Sequence, residues 1–197
     1  VRAVPSDTQR RFVAGEWASS DELDVDWMGD TEGRWRKYST GTKYQKADRT
    51  YYTDEWAKIK GEWYYFGSDS YMKTGWIQLA GTWFYLGTDG KMSTGWEQIN
   101  NVWYYFDGNG KKYTSGWLTY KGNEYYLKSD GTMLANEWLD GKYYFKSWGG
   151  MYKNEWGKSG NTWYWFNADG TKRTQKGWFL YDKNYYYLDK DGKMLTG

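Results

Sequence analysis

Aromatic side chains recur along this sequence in a pattern that could build repeated sites for a cation. Tyr, Trp and Phe number 22, 16 and 7 and make up 23% of the 197 residues. The face of an aromatic ring attracts a quaternary ammonium group by roughly 0.5–2 kcal/mol. Three rings around one cation would give about 3–5 kcal/mol, which corresponds to a millimolar site. Weak sites that repeat along one chain gain avidity on a multivalent polymer.

The residue types alone leave two other uses for the rings open. Sugars also stack on Trp and Tyr, so ring density does not separate a cation cage from a carbohydrate site. Leu, Ile and Val are scarce in this chain, at 10, 3 and 5 residues, so some rings must fill the core. The alternatives are therefore cation cages, a carbohydrate-binding surface, and packing within a structural spacer.

The rings belong to a repeat of about twenty residues. A Trp recurs at positions 56, 76, 96, 117, 138, 156 and 178. The clearest unit runs from Gly75 to Thr94, and a near copy begins at Gly95-Trp96. An aromatic pair followed by Leu or Phe returns seven times, at 64–66, 84–86, 104–106, 125–127, 143–145, 164–166 and 186–188. This periodicity predicts a repeat architecture.

Each unit predicts a β-hairpin followed by a second turn. Ala80-Gly81 is a two-residue loop between strand-forming residues, and Asp89-Gly90 supplies a position with positive φ for the next turn. A lone hairpin is marginally stable in water, so units of this kind must stack on one another. The sequence therefore predicts an all-β solenoid of stacked hairpins.

The loop also predicts the register and the two faces of each hairpin. If Leu79 pairs with Thr82 across the loop, Trp76 lies opposite Tyr85, and side chains alternate between the faces. One face then carries Trp76, Gln78, Trp83 and Tyr85, and the other carries Ile77, Leu79, Phe84 and Leu86. The first of these faces is aromatic and amphipathic, and it is the candidate for ligand binding.

The composition excludes several function classes. The chain has no His and no Cys, which removes Ser-His-Asp and Cys-His catalysis, disulfides and Cys/His zinc sites. A net charge of +2 gives no strong electrostatic field that would attract nucleic acid. The sequence contains no run of 18 apolar residues that could span a membrane. The run Asp189-Lys190-Asp191-Gly192 is similar to the start of a calcium loop, but Asp-Gly recurs here as a turn. We expect no catalytic residue, no metal and no cofactor.

Two regions differ in regularity. Residues 51–197 carry the repeat and are predicted to form the solenoid. Residues 1–50 fit it poorly and are predicted to be degenerate repeats or an irregular connecting segment. Trp17, Trp27 and Trp35 suggest the first of these alternatives.

The units from Trp76 to Thr94 and from Trp96 to Thr114 resemble the choline-binding repeat. This repeat is the cell-wall-binding module of surface proteins and wall hydrolases of pneumococcus-like bacteria and their phages. The resemblance implies a left-handed spiral of about seven hairpins. It also implies that the choline groups of teichoic acids lie between consecutive hairpins, in boxes of two Trp and a Tyr that are often lined by a Met.

The resemblance assigns four boxes and two lining residues. Each box takes both Trp residues of one hairpin and the second Tyr of the next, where the choice of the second Tyr follows from the faces predicted above. The boxes are Trp56, Trp63 and Tyr85; Trp76, Trp83 and Tyr105; Trp96, Trp103 and Tyr126; and Trp156, Trp163 and Tyr187, with Met72 and Met92 at the Met position. Glu124, Lys142 and Tyr185 depart from the pattern, because each stands where a repeat has its second Trp.

The resemblance implies a non-catalytic module that anchors a larger surface protein or wall hydrolase to phosphocholine-bearing teichoic acid at the bacterial cell surface. A glucan- or host-glycan-binding repeat module is the alternative. A host glycan or protein and a second copy of the chain remain open as partners.

Overall fold

The computed structural model describes residues 33–195 and a short strand at 22–23, which fall into two compact units, residues 1–93 and 94–197. No helix within this described part is long and apolar enough to cross a membrane. Trp17 and Trp27 lie outside the described residues. Each unit is a series of antiparallel hairpins, which confirms the all-β prediction.

The strands are short and follow one another as neighbouring pairs. In chain order they are β1 (Glu22–Leu23), β2 (Arg34–Tyr38), β3 (Gly41–Gln45), β4 (Glu55–Ile59), β5 (Glu62–Phe66), β6 (Gly75–Leu79), β7 (Thr82–Leu86), β8 (Gly95–Ile99), β9 (Val102–Phe106), β10 (Gly116–Tyr120), β11 (Asn123–Leu127), β12 (Trp138–Leu139), β13 (Tyr143–Tyr144), β14 (Glu155–Ser159), β15 (Thr162–Phe166), β16 (Gly177–Tyr181), β17 (Asn184–Leu188) and β18 (Met194–Leu195). We name the hairpins A (β2–β3), B (β4–β5), C (β6–β7), D (β8–β9), E (β10–β11), F (β12–β13), G (β14–β15) and H (β16–β17).

Two-residue turns that contain positive φ close most of the hairpins. Ala80 and Gly81 have φ of 47° and 79°, which matches the right-handed twist of the strands on either side. The second turn of the same repeat places Gly90 at φ 80°, and the Asp89 carboxylate accepts the backbone N–H of Lys91 at 3.1 Å. Both predicted turns are confirmed.

The observed register confirms the predicted faces. In hairpin C, Leu79 pairs with Thr82 and Trp76 pairs with Tyr85. The Trp face of a regular hairpin such as C therefore carries the first Trp, the second Trp and the second ring of the aromatic pair. The core face carries the first ring of that pair and the Leu or Phe that follows it.

Each of the hairpins B to H contributes one fully buried side chain, from the position after its aromatic pair. These residues are wholly shielded from solvent: Phe66, Leu86, Phe106, Leu127, Phe145, Phe166 and Leu188. Small clusters form around them, and the first joins Phe66 to rings of hairpins A and B. The core is thus divided among the repeats, as the scarcity of aliphatic residues predicts.

The linker after each hairpin ties it to the hairpin before. After hairpin C, Met92 bridges to Leu86, and its backbone N–H donates to the carbonyl of Trp63 in hairpin B at 2.8 Å. After hairpin E, Met133 repeats this bond to Trp103 of hairpin D at 3.1 Å. Within each unit, this bond holds the Trp face of one hairpin against the next.

Candidate cation-binding site

The first Trp of a hairpin packs edge-on or tilted against a ring of the next hairpin. The ring centroids lie 5.1 Å apart for Trp56 and Phe84, and 4.9 Å apart for Trp96 and Tyr125. The contact recurs at 4.9–5.0 Å at the other boundaries within the two units, in the pairs Trp35–Tyr64, Trp117–Tyr143, Trp138–Tyr164 and Trp156–Tyr186. Every one of these partners is the first ring of its aromatic pair.

In the three boxes that lie within one unit, this geometry places a different third ring from the predicted one. The sequence predicts the second ring of the pair, yet the structure packs that ring against the Trp of its own hairpin. The observed pairs are Tyr85 with Trp76, Tyr105 with Trp96, Tyr126 with Trp117 and Tyr187 with Trp178, at 5.1–5.4 Å. The reason is that the two faces of a hairpin point in opposite directions, so the Trp face of one hairpin meets the core face of the next.

The second Trp of each box is far less covered than the core rings. Trp63, Trp103 and Trp163 expose 39–41% of their surface. Trp103 stands nearly perpendicular to Trp96, with centroids 6.4 Å apart. A small cation could therefore reach the faces of these rings from the solvent. The resulting boxes are Trp56, Trp63 and Phe84; Trp96, Trp103 and Tyr125; and Trp156, Trp163 and Tyr186.

The remaining predicted box takes residues from both units. Trp76 and Trp83 lie in the first unit, on one face of hairpin C, with their rings nearly perpendicular and 6.1 Å apart. Tyr105 belongs to the second unit. The pair therefore has the arrangement of Trp96 and Trp103, and its third ring stays a prediction.

Met92 lies beside the first box, and Met72 lies one boundary earlier. Met72 donates its backbone N–H to Thr42, at the boundary between hairpins A and B, whereas Met92 is the residue bonded to Trp63. Met133, which the sequence analysis does not assign, holds the same place beside Trp103. The cause is that the linker after a hairpin returns to the hairpin before it.

Comparison with known proteins decides the family. The model of the choline-binding repeat matches residues 52–94 and 93–138, and that of a putative cell wall binding repeat matches 154–172 and 176–194. The choline-binding domain of CbpL from Streptococcus pneumoniae is 32% identical, with 84% of this chain and 87% of that domain covered and a TM-score of 0.61. The chain belongs to the choline-binding repeat family.

Two longer pneumococcal proteins are also similar to this choline-binding module. CbpJ from Streptococcus pneumoniae is 31% identical, with 81% of this chain and 57% of that chain covered and a TM-score of 0.63. The modular autolysin LytC, solved alone and with a synthetic peptidoglycan ligand, is 26% identical, with 84% and 39% covered and a TM-score of 0.59. The chain thus spans little more than half of CbpJ and less of LytC. A search of curated protein sequences finds no match.

Three boundaries between the described hairpins lack the second Trp, and Thr42 takes its place between hairpins A and B. At the boundary between hairpins F and G, Lys142 takes its place. The ammonium of Lys172, which stands at the Met position, lies 5.2 Å from the Trp138 ring and 5.5 Å from the Tyr164 ring. Both distances are within the range of a cation–π contact. The chain therefore supplies its own cation to these two rings.

The boundary between hairpins E and F has a carboxylate where the second Trp would stand. The Glu124 carboxylate accepts the hydroxyl of Thr119, with oxygen distances of 3.1 and 3.0 Å. Trp117 is 39% exposed, which is more than Trp56, Trp96 and Trp156. Each of these three shares its hairpin face with a second Trp. The indole beside Glu124 is therefore more accessible to solvent than these three.

Tyr125, the tyrosine of the box with Trp96 and Trp103, stays neutral at physiological pH. Burial raises the pKa of Tyr125 above its usual value, and the nearby Tyr120 adds to the shift. A neutral ring with a negative face attracts a cation without needing a counter-charge.

In the described residues no group of three acidic side chains could hold a metal ion. The Asp189 carboxylate accepts the backbone N–H groups of Asp191 and Lys193 in a turn.

Proposed function

We propose that this module binds the choline groups of teichoic acids in aromatic boxes between its hairpins. The observation that carries the proposal is the repeated meeting of an exposed second Trp, a covered first Trp and a ring of the next hairpin. This arrangement stands on a chain of the choline-binding repeat family. Family membership favours choline over the carbohydrate alternative.

The boxes fit a cation that carries methyl groups better than one that needs hydrogen-bond acceptors. Trp156 and Tyr186 lie 4.9 Å apart, and Trp163 is 39% exposed beside them. Ring faces attract the charge, and they bury methyl groups without leaving a donor unsatisfied. A trimethylammonium group has no N–H to satisfy, so it suits a box of rings.

Repetition compensates for the weakness of each box. Three rings give about 3–5 kcal/mol and a millimolar dissociation constant. Three boxes on one chain would engage neighbouring choline groups of one polymer, and linked binding of this kind raises the apparent affinity by about 10²–10⁴. The function is therefore attachment to a surface that displays many choline groups.

The proposed place of the module is the bacterial cell surface. It would attach a larger protein, such as a surface protein or a wall hydrolase, without chemistry of its own. LytC is described as a modular autolysin, and its resemblance to this chain supports the second of these settings. Dimer formation and a host partner stay predictions.

The proposal is tested by binding to beads that carry phosphocholine, with beads that carry phosphate alone as the control. We expect the chain to be retained by phosphocholine and released by free choline at millimolar concentration. Equal retention on both beads, or retention that free choline does not reverse, would refute choline binding.

A further inference from the structure

We propose that the boundary between hairpins E and F binds a primary alkylammonium group in preference to choline. The site consists of Trp117, Glu124 and Tyr143. The inference rests on the proposed function, because it treats this boundary as a box whose second Trp has become a carboxylate. It assigns the module a second ligand class, R–NH₃⁺, besides the quaternary ammonium groups of the other boxes.

The two rings of this boundary keep the geometry of the choline boxes. The centroids of Trp117 and Tyr143 lie 5.0 Å apart at 79°, which matches the contact of Trp96 with Tyr125 at 4.9 Å. Trp117 is 39% exposed, so its ring is accessible to a guest. The ring surface needed for a cation–π contact is therefore present.

The carboxylate stands on the same face as the indole. Trp117 pairs with Tyr126 and Thr119 pairs with Glu124, which places all four side chains on the Trp face of hairpin E. The Glu124 backbone is fixed as well, because the N–H of Met151 donates to its carbonyl at 2.8 Å. The position that a Trp holds in the other boxes is thus occupied by a negative group on a rigid strand.

Glu124 has acceptor capacity to spare. Its carboxylate receives the single hydroxyl hydrogen of Thr119. No Lys or Arg in the described part of the chain forms an ion pair with it, whereas nearby Lys128 and Lys146 are paired with Glu137 and Glu155. A carboxylate offers about four lone-pair positions, so most of its acceptor sites are free for a ligand.

The substitution reverses the preference between the two kinds of ammonium. Replacing a Trp by Glu removes one ring and so weakens the binding of a trimethylammonium group. In return this group gains only a screened charge attraction to the carboxylate. A primary ammonium loses the same ring but gains a charge-assisted hydrogen bond, and such bonds are among the strongest in proteins. In the boxes with two Trp, the Trp faces of strands β4–β5, β8–β9 and β14–β15 carry no carboxylate, so these boxes lack the acceptor that favours a primary ammonium.

The experiment follows the indole N–H signal of Trp117 in two-dimensional NMR spectra of the full chain, assigned with the Trp117→Phe variant. The probes are ethanolamine, choline and Nα-acetyl-lysine amide. We expect the Trp117 signal to respond to ethanolamine at several-fold lower concentration than to choline. A response to the lysine derivative as well would show that any accessible primary ammonium is accepted, including a side chain of a peptide. A response to ethanolamine alone would restrict the site to a small amino-alcohol group.

Two variants make the result specific to the carboxylate. Glu124→Gln keeps the size and the Thr119 hydrogen bond but removes the charge, and we expect it to weaken ethanolamine binding by about tenfold. Glu124→Trp restores the ring, and we expect its Trp117 signal to respond to choline more than to ethanolamine. The dispersed spectrum of each variant reports that it is folded.

The inference is overturned if Trp117 prefers choline in the unmodified chain, or if Glu124→Gln leaves the ethanolamine response unchanged. The signals of Trp103 and Trp156 in the same spectra test the proposed function separately. Their silence toward choline would refute the choline boxes, whatever Trp117 does. Their response without one at Trp117 would refute only the amine site.

Discussion

Replacing Trp163 by Leu should weaken choline binding at one box without unfolding the chain. Trp163 is 39% exposed, so its contact with a cation lies between the exposed and the desolvated limits, at about 1 kcal/mol. Losing that ring should raise the dissociation constant of this box about fivefold. Leu retains apolar contact, so the loss of packing stays smaller than the loss of the whole side chain.

The stability change of Trp163→Leu can be worked out from the same exposure. About 60% of a ring of roughly 200 Å² is buried, or about 120 Å², and Leu recovers about half of that area. At about 25 cal/mol per Å², the free energy of unfolding should fall by about 1.5 kcal/mol. Urea unfolding measures this value, and the chain should remain folded under binding conditions.

The assay titrates choline while following the indole signal of Trp156, which lines the same box. Trp148→Leu is the matched control, because Trp148 is similarly exposed at 48% and lies beside Tyr125 rather than Trp156. We expect the control to leave the Trp156 titration unchanged. If Trp163→Leu binds choline at Trp156 as tightly as the unmodified chain, the ring does not contribute and the box is assigned wrongly.

Two further predictions concern the turns and the tyrosines. Gly90→Ala should destabilise the chain more than Gly81→Ala, by on the order of 1 kcal/mol in urea unfolding. Both glycines have φ near 80°, but an added Cβ at Gly90 would collide with the Met72 side chain, whereas Gly81 faces open space. Equal losses of unfolding free energy in the two variants would show that the contact with Met72 does not matter. The hydrogen bond from the Tyr65 hydroxyl to Asp54 raises the Tyr65 pKa to about 12. Because the folded pKa lies above the unfolded value near 10, this stabilisation is complete below pH 10 and is lost as the pH rises toward 12. The unfolding free energy should therefore fall more steeply in this interval than it does for Tyr65→Phe, and identical slopes would refute the shift.

The local structure of each repeat could be predicted because it depends on neighbouring residues. A two-residue loop with Gly fixes the register, and the register fixes which side chains share a face. The pairing of Trp76 with Tyr85 follows from Ala80-Gly81 alone. The same logic places the fully buried residue, since it directly follows the aromatic pair.

The contacts between hairpins required knowledge of how one repeat lies on the next. The sequence does not say which face of a hairpin meets its neighbour, so Tyr85 was as good a candidate as Phe84 for the box of Trp56. The structure selects Phe84, because opposite faces meet. Pairing each Trp face with a core face would have predicted this from the alternation of side chains.

The contacts of the linkers could not be predicted from the sequence for the same reason. The Met position recurs with the repeat, yet the boundary it lines depends on a backbone bond to the preceding hairpin, as from Met92 to Trp63. Likewise, Lys172 at that position is an unremarkable charge in the sequence. Only the fold places its ammonium over Trp138 and Tyr164.

The most direct test of cation recognition is a titration of the unmodified chain, followed by tryptophan fluorescence. Choline is compared with its neutral isostere, in which a tert-butyl group replaces trimethylammonium, with dextran oligosaccharides and with sodium chloride. If the boxes recognise the charge, choline gives a saturable millimolar response and the isostere a much weaker one. An equal response to the isostere, or a response to the oligosaccharides alone, would contradict this recognition of the charge.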